Sequence, residues 1–211
     1  MLTERDRSLL LGLTQGVKFL EIEQVIRGFF VGASTSRCLQ RLRELEQAGW
    51  VSNRRVMARP GIRLGDSPAY SWCPGQPQLA PVLAGKLSYF FQSRWKKLAL
   101  KPTFVVSATA NAAARFSGFE GRFKQTDVDH DLVTGEVFLR ARATEGIEWL
   151  SEALLKVQGP WGRRGVPLPD AAIVDRHGGF TAIESAGSYG KAKLLRYHKR
   201  MAANRTAYEL F

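Results

Sequence analysis

Apolar residues along the first third of the chain recur at helical spacing in three short bursts. Leu9, Leu10 and Leu13 form the first, within residues 2–14. Thr3 is its N-cap, and Glu4 and Asp6 stand in the first turn, where carboxylates favour the helix dipole. Gly16 ends it. Leu20, Ile22, Val25 and Ile26 mark the buried side of a second short helix over 19–26. After Gly32, Ser34-Thr35-Ser36 caps a third, with Cys38, Leu39, Leu42 and Leu45 inward. Ala48-Gly49 stops it. The pattern then turns strand-like over 50–57. A Pro60-Gly61 turn follows, and Tyr70-Ser71-Trp72 reads as the returning strand. Three helices and a two-stranded ribbon predict a winged helix-turn-helix over 1–74. Its third helix would present Arg37, Gln40, Arg41 and Arg43 to the major groove of double-stranded DNA. The ribbon would lay Arg54, Arg55, Arg59 and Arg63 on phosphates. The same order of elements also serves protein–protein contact.

Pro74-Gly75-Gln76-Pro77 resembles a linker, and residues 75–125 read as a helical linker region. Within it, 79–99 is a helix carrying Leu79, Val82, Leu83, Leu87, Phe90 and Phe91, ending in Arg94-Trp95-Lys96-Lys97. Residues 101–125 have the weakest pattern. Phe104-Val105-Val106 suits a strand, and 108–114 tolerates helix. Over 126–143 the pattern is helical again, and Glu136 is a carboxylate on an apolar side shared by Leu132, Val133, Val137 and Arg140. Residues 147–157 read as helix. Pro169-Asp170 opens one short apolar run, His177-Gly178-Gly179 turns the chain, and Phe180–Glu184 forms a second run. The helix after it carries Lys191, Lys193, Arg196, Lys199, Arg200 and Arg205 and no acid, one-sided charge that favours a face for a nucleic-acid backbone over a merely solvated helix, and Tyr208–Phe211 reads as a last strand. The fold class expected is α+β, a winged helix-turn-helix followed by an α/β domain over 126–211.

Charge narrows the partners. A net charge of +12 favours a polyanion, nucleic acid above all. Two cysteines, Cys38 and Cys73, allow neither a disulfide framework nor a cysteine zinc site. The polar start and the lack of a long apolar run point to a cytoplasmic protein without membrane contact. His130, His177 and His198 are scattered without metal-ligand spacing, and His177 and His198 read as solvated or phosphate-contacting. The 185–190 loop can cradle a phosphate on its amides, but it is no Walker motif.

Asp170 and Glu184 on adjacent strands can share a divalent metal, with Glu136 as a third acid. They can equally be structural. Asp170 would then cap a turn, Glu184 would pair with Lys191 or Arg196, and Glu136 with Arg140.

Two resemblances rest on these residues. Leu2-Thr3-Glu4-Arg5-Asp6, Phe30, Arg37–Leu42, Ala48-Gly49 and Tyr70 resemble the replication-relaxation family of plasmid and mobile-element proteins. So do His130-Asp131-Leu132, Glu136-Val137, Pro169-Asp170-Ala171, Ile183-Glu184, Gly187-Ser188-Tyr189 and Lys193-Leu194. The later part is similar to the restriction-endonuclease-like PD-(D/E)XK superfamily. That likeness implies Glu136, Asp170 and Glu184 as the acids, Asp170 and Glu184 holding Mg²⁺, and a lysine that activates water. Ala186 stands where the lysine is expected, leaving Lys191 and Lys193 to reach back from the next helix. The function expected is a DNA-binding protein of a plasmid or mobile element, acting in replication, transfer or transcriptional control. Its nuclease-like domain is expected to have lost catalysis and to need no cofactor, and a homodimer on a pseudo-palindromic site would be usual for such a winged helix, though no sequence feature demands it. The alternatives are a Mg²⁺-dependent DNA endonuclease using those acids, and a module recruiting replication or conjugation proteins.

Overall fold

A computed structural model describes the chain apart from residues 61–63, 66, 122, 160 and 163–165. Arg63, expected on phosphates, lies outside the described residues. The fold mixes helix and strand, as an α+β chain should. It divides into two units, and the chain passes through each of them twice. Unit 1 is Met1–Pro60 with Leu100–Arg140, and unit 2 is Gly61–Ala99 with Ala141–Phe211. The boundaries expected near 74 and 125 are therefore corrected. Residues 75–125 are not a linker, because their two halves contribute to different cores.

In unit 1, α1 (Glu4–Leu11) begins with a capping box. Asp6 N–H donates to the Thr3 hydroxyl, and Thr3 N–H donates back to the Asp6 carboxylate at 2.8 Å. The expected second helix splits into β1 (Phe19–Glu21) and α2 (Ile22–Phe29). Phe19, Leu20 and Glu21 are all buried, which an extended segment between two layers allows and one helical stripe does not. α3 (Thr35–Gln47) starts where Ser34 caps Arg37 N–H and buries Cys38, Leu42 and Leu45.

β2 (Val51–Ala58) corrects the ribbon. Its partner is not Tyr70–Trp72 but β4 (Lys101–Ala108), antiparallel from Val51↔Ala108 to Ala58↔Lys101. β4 also pairs with β1, giving the order β1-β4-β2. The physical reason is length and burial. β4 matches all of β2 and buries Val105, Val106 and Ala108, whereas Tyr70–Trp72 offers three residues and sends Trp72 into another core. α5 (Ala110–Arg115) follows, and α6 (Val128–Ala143) lies on this unit with Val128 and Leu132 against Phe19, Val56, Ala58 and Val105. Phe138 of α6 fits over Gly16, where an added Cβ would stand 2.6 Å from its ring. α6 was expected to open the α/β domain, and its packing assigns it to unit 1 up to Arg140.

Unit 2 holds a five-stranded sheet in the order β3-β8-β7-β6-β5. Its strands are β3 (Tyr70–Trp72), β5 (Ile147–Ser151), β6 (Ala171–Asp175), β7 (Phe180–Glu184) and β8 (Ala207–Leu210). Residues 147–157 are β5 and α7 (Glu152–Gln158) rather than one helix, because Ile147–Ser151 take their main-chain hydrogen bonds from β6. The β6–β7 hairpin is the one expected. α8 (Lys191–Ala203) carries the chain across so that β8 runs parallel to β7. α4 (Pro81–Lys96) covers the same side of the sheet as α8. Leu79, Ala84, Leu87 and Phe91 pack with Ala182, Ala186, Leu194, Met201 and Tyr208. The helix that packs with the acid-bearing strands is thus α4, whose sequence has no Asp or Glu.

Candidate nucleic-acid interface

On α3 the outward face carries Arg37, Gln40 and Arg43, all exposed. These positions are three apart, so they share one side of the helix. Among the described residues neither Arg37 nor Arg43 forms an ion pair, and Gln40 reaches Glu44 at 3.4 Å. Arg41 departs from the expectation that it faces a groove. One turn on from Arg37 it points toward α1, where its guanidinium donates to Asp6 at 2.7 and 3.2 Å and to Glu44 at 2.6 Å. Asp6 is fully buried. Burial alone would raise its carboxyl, but hydrogen bonds from Arg41 and Thr3 outweigh that and hold it below the usual range.

On β2, Arg54 and Arg55 are both exposed, and as successive strand residues they point to opposite sides of the sheet. Arg59 is not available in the same way. Its guanidinium donates to Asp129 at 2.7 Å, and its backbone N–H donates to the same carboxylate at 2.6 Å. An acid one turn before Leu132 captures it, so this cation fastens the end of β2 to α6.

Glu136 is likewise committed. Arg27 of α2 donates to both its oxygens, at 3.0 and 2.6 Å, and Gln24 approaches at 3.4 Å. Burial raises its carboxyl, but the Arg27 guanidinium, with the Gln24 hydrogen bond and the charge of Arg140, outweighs that and holds it below the usual range. Glu136 therefore joins α6 to α2 in unit 1. Its main partner is Arg27, not Arg140 as the helical spacing suggested.

Asp170 and Glu184 do come together in unit 2. Asp170 stands one residue beyond the Ala171↔Ile183 pair, opposite Glu184. It accepts the Ser185 N–H at 2.7 Å, a contact across the ends of β6 and β7 rather than the cap of a turn. Glu184 is buried, and its partner is the hydroxyl of Tyr189, which donates to Oε1. Lys191 and Arg196 were the partners expected. Lys193 lies with Nζ 3.3 Å from the centroid of the Tyr189 ring. Lys191 is exposed, its stem beside Gly85 of α4. Ala186, in the lysine's place, is fully buried in the apolar core. The Tyr197 hydroxyl is buried near the two acids. Burial first, then the charges of Glu184 and Asp170, push its proton loss well above the ordinary range.

Asp170 and Glu184 bring two carboxylates together, hard oxygen ligands of the kind a divalent ion takes, and the third acid is engaged by Arg27. Among the described residues no three His, Cys, Asp or Glu side chains form a metal-binding group.

α8 separates its faces sharply. Leu194, Tyr197, His198 and Met201 are buried, while Lys191, Lys193, Arg196, Lys199 and Arg200 are exposed. His198 corrects the expectation of a solvated ring, because it is buried. Its Nε2 lies 3.0 Å from the Leu79 N–H, which donates to it, and 2.8 Å from the Gln78 Oε1, and its Nδ1 lies 2.8 Å from the Tyr208 hydroxyl. Trp72 meets the ring edge-on at 5.2 Å. Burial lowers the proton affinity of His198, and a protonated Nε2 cannot accept from Leu79. A lowered folded value means stability that is fully present above about pH 6.5. It is lost as pH falls below that value toward the folded one. The urea midpoint should therefore drop between pH 7.5 and 5, and His198→Gln should flatten that drop. An unchanged pH profile in the variant would remove His198 as its source.

Sequence reasoning missed Tyr189, Arg27 and Asp129 as partners of Glu184, Glu136 and Arg59. Arg27 and Asp129 are brought to Glu136 and Arg59 only by folding, whereas Tyr189 lies five residues after Glu184, across the loop that ends β7. Among the described residues no helix is long and apolar enough to cross a membrane. No protein-family model, curated protein or solved structure matches the chain.

Proposed function

We propose that this chain is a double-stranded DNA-binding protein of a plasmid or mobile element, acting in replication, transfer or transcriptional control. In this reading unit 1 is a winged helix in which α3 enters the major groove and β2 with β4 forms the wing. The observation that carries it is the outward face of α3. Arg37, Gln40 and Arg43 are exposed together on a helix held from behind by α1, with Arg54 and Arg55 exposed on the neighbouring strand. Guanidinium and amide groups at that spacing suit base edges, and strand arginines suit phosphates. Arg41 and Arg59 are withdrawn from the interface, since both are committed to internal acids.

Unit 2, in the same reading, is a restriction-endonuclease-like core that no longer cuts. Within unit 2 the order is β3, α4, β5, α7, β6, β7, α8, β8, and a helix, a sheet with the acids opposed at the β6 and β7 ends and a crossover helix support the likeness. The acid-free α4, Ala186, and Tyr189 seated on Glu184 support the loss of catalysis.

Two measurements test the reading. Anisotropy of a labelled duplex should report binding at low salt that weakens steeply as salt rises. Supercoiled plasmid with Mg²⁺ or Mn²⁺ should remain intact. Nicking by the wild type that disappears in Asp170→Ala would instead establish the endonuclease, and no duplex binding at low salt would favour a protein-recruiting module.

A further inference from the structure

The cations of this chain are unevenly divided. Unit 2 holds sixteen Lys and Arg against eight Asp and Glu, a net +8 of the total +12. Unit 1 holds fifteen against eleven. The unit read as the DNA-reading module thus carries the smaller share of the charge. We infer that unit 2 has its own nucleic-acid-binding face on α8, so that the protein grips a phosphate backbone at two separate places. The inference rests in part on the DNA-binding reading above.

The geometry of α8 sets the class of partner. Lys191, Lys193, Arg196, Lys199 and Arg200 are exposed, none forms an ion pair among the described residues, and the helix contains no acid. At 1.5 Å per residue these side chains span about 13 Å. A duplex presents about eight phosphate charges along that length. The helix is rigidly seated. Its inner face is buried with Ala182, Ala186 and Tyr208, and His198 ties it to Leu79 and Tyr208. Lys193 is further oriented by the Tyr189 ring, whose hydroxyl is fixed to Glu184. Glu184 thus helps, through Tyr189, to position a cation at the start of this face.

An anionic membrane is the other polyanion such a helix can meet. Helices that lie in a lipid surface bury an apolar face among the acyl chains. On α8 that face is used up in the core of unit 2, leaving cations alone outside. A backbone of phosphates asks for nothing more.

The test uses the full chain and replaces Arg196→Gln, Lys199→Gln and Arg200→Gln together. Duplex affinity is measured against salt beside an Arg37→Ala/Arg43→Ala variant, with urea midpoints of both variants confirming the fold. The α8 variant should keep its midpoint. Its plot of log affinity against log salt should be shallower by about 0.9 for each phosphate that is no longer neutralised. A shallower slope in both variants, adding when they are combined, supports two grips. A shallower slope in the α8 variant alone supports this inference and removes the winged-helix reading of unit 1. An unchanged slope in the α8 variant beside a reduced one in the α3 variant overturns the inference and leaves that reading standing. Loss of binding to phosphatidylserine vesicles with duplex binding intact also overturns it, in favour of a membrane surface.

Discussion

Replacing Asp6 with alanine should destabilise the chain by about 3 kcal/mol, the lower end of the cost of breaking a buried ion pair. The carboxylate is fully buried and accepts from the guanidinium of Arg41 and from both the N–H and the hydroxyl of Thr3. Its loss removes the capping box of α1 and strips Arg41 of its deeper partner. Arg41 is part-exposed and keeps Glu44, which is why the upper end of the range is not expected. A urea titration would show a lower midpoint with an unchanged slope. A loss well under about 1 kcal/mol, the size of a cap alone, would mean that the pair is energetically idle. The same contact predicts an acid response. Because the folded Asp6 is held below the usual carboxylate range, its stabilisation is complete above the unfolded value near 3.9. It fades as pH falls below that value toward the folded one, and Asp6→Asn should lose this part of the acid sensitivity.

Removing Arg37 and Arg43 should have the largest effect on duplex binding, and removing Arg41 should not mimic it. All three sit on α3 and look alike in the sequence. Arg37 and Arg43 face solvent, while Arg41 is clamped between Asp6 and Glu44. On the proposed reading, Arg37→Ala/Arg43→Ala weakens binding and flattens its salt dependence. One base-directed arginine is worth about 1–3 kcal/mol. Thermal or urea stability should change little, because exposed side chains without partners contribute little to it. Arg41→Ala should do the reverse, lowering stability while leaving the salt slope of the folded protein unchanged. Equal loss of affinity per folded molecule in both would show that Arg41 leaves Asp6 to meet the DNA. That result would contradict its withdrawn position.

Much of this could be read from the chain itself. The capped starts of α1 and α3, the inward Leu9, Leu10, Leu42 and Leu45, the Asp175–Gly179 turn and the acid-free basic face of α8 are local matters. Helical period, caps and turns act over a few residues, so they are written in consecutive letters. The pairing of Asp170 with Glu184 follows from one hairpin and was legible for the same reason.

The rest depended on partners far away in sequence. Fixed local signals allow β2 a return strand at either 70–72 or 101–108, and only the burial of Val105, Val106 and Ala108, with Val105 against α6, decides for β4. That choice turns an apparent linker into pieces of two cores and moves Glu136 into unit 1, where Arg27 takes it. It also decides which arginines are free. Arg37 and Arg41, or Arg55 and Arg59, are indistinguishable by composition. A buried charge must find an opposite charge, and whether Asp6 or Asp129 lies opposite is settled by how helices and strands pack. The sequence by itself determined that this protein has helices, a hairpin and an excess of cations. The tertiary structure alone decided which cations hold the protein together and which face outward, because ion pairing across elements is set by distance in space.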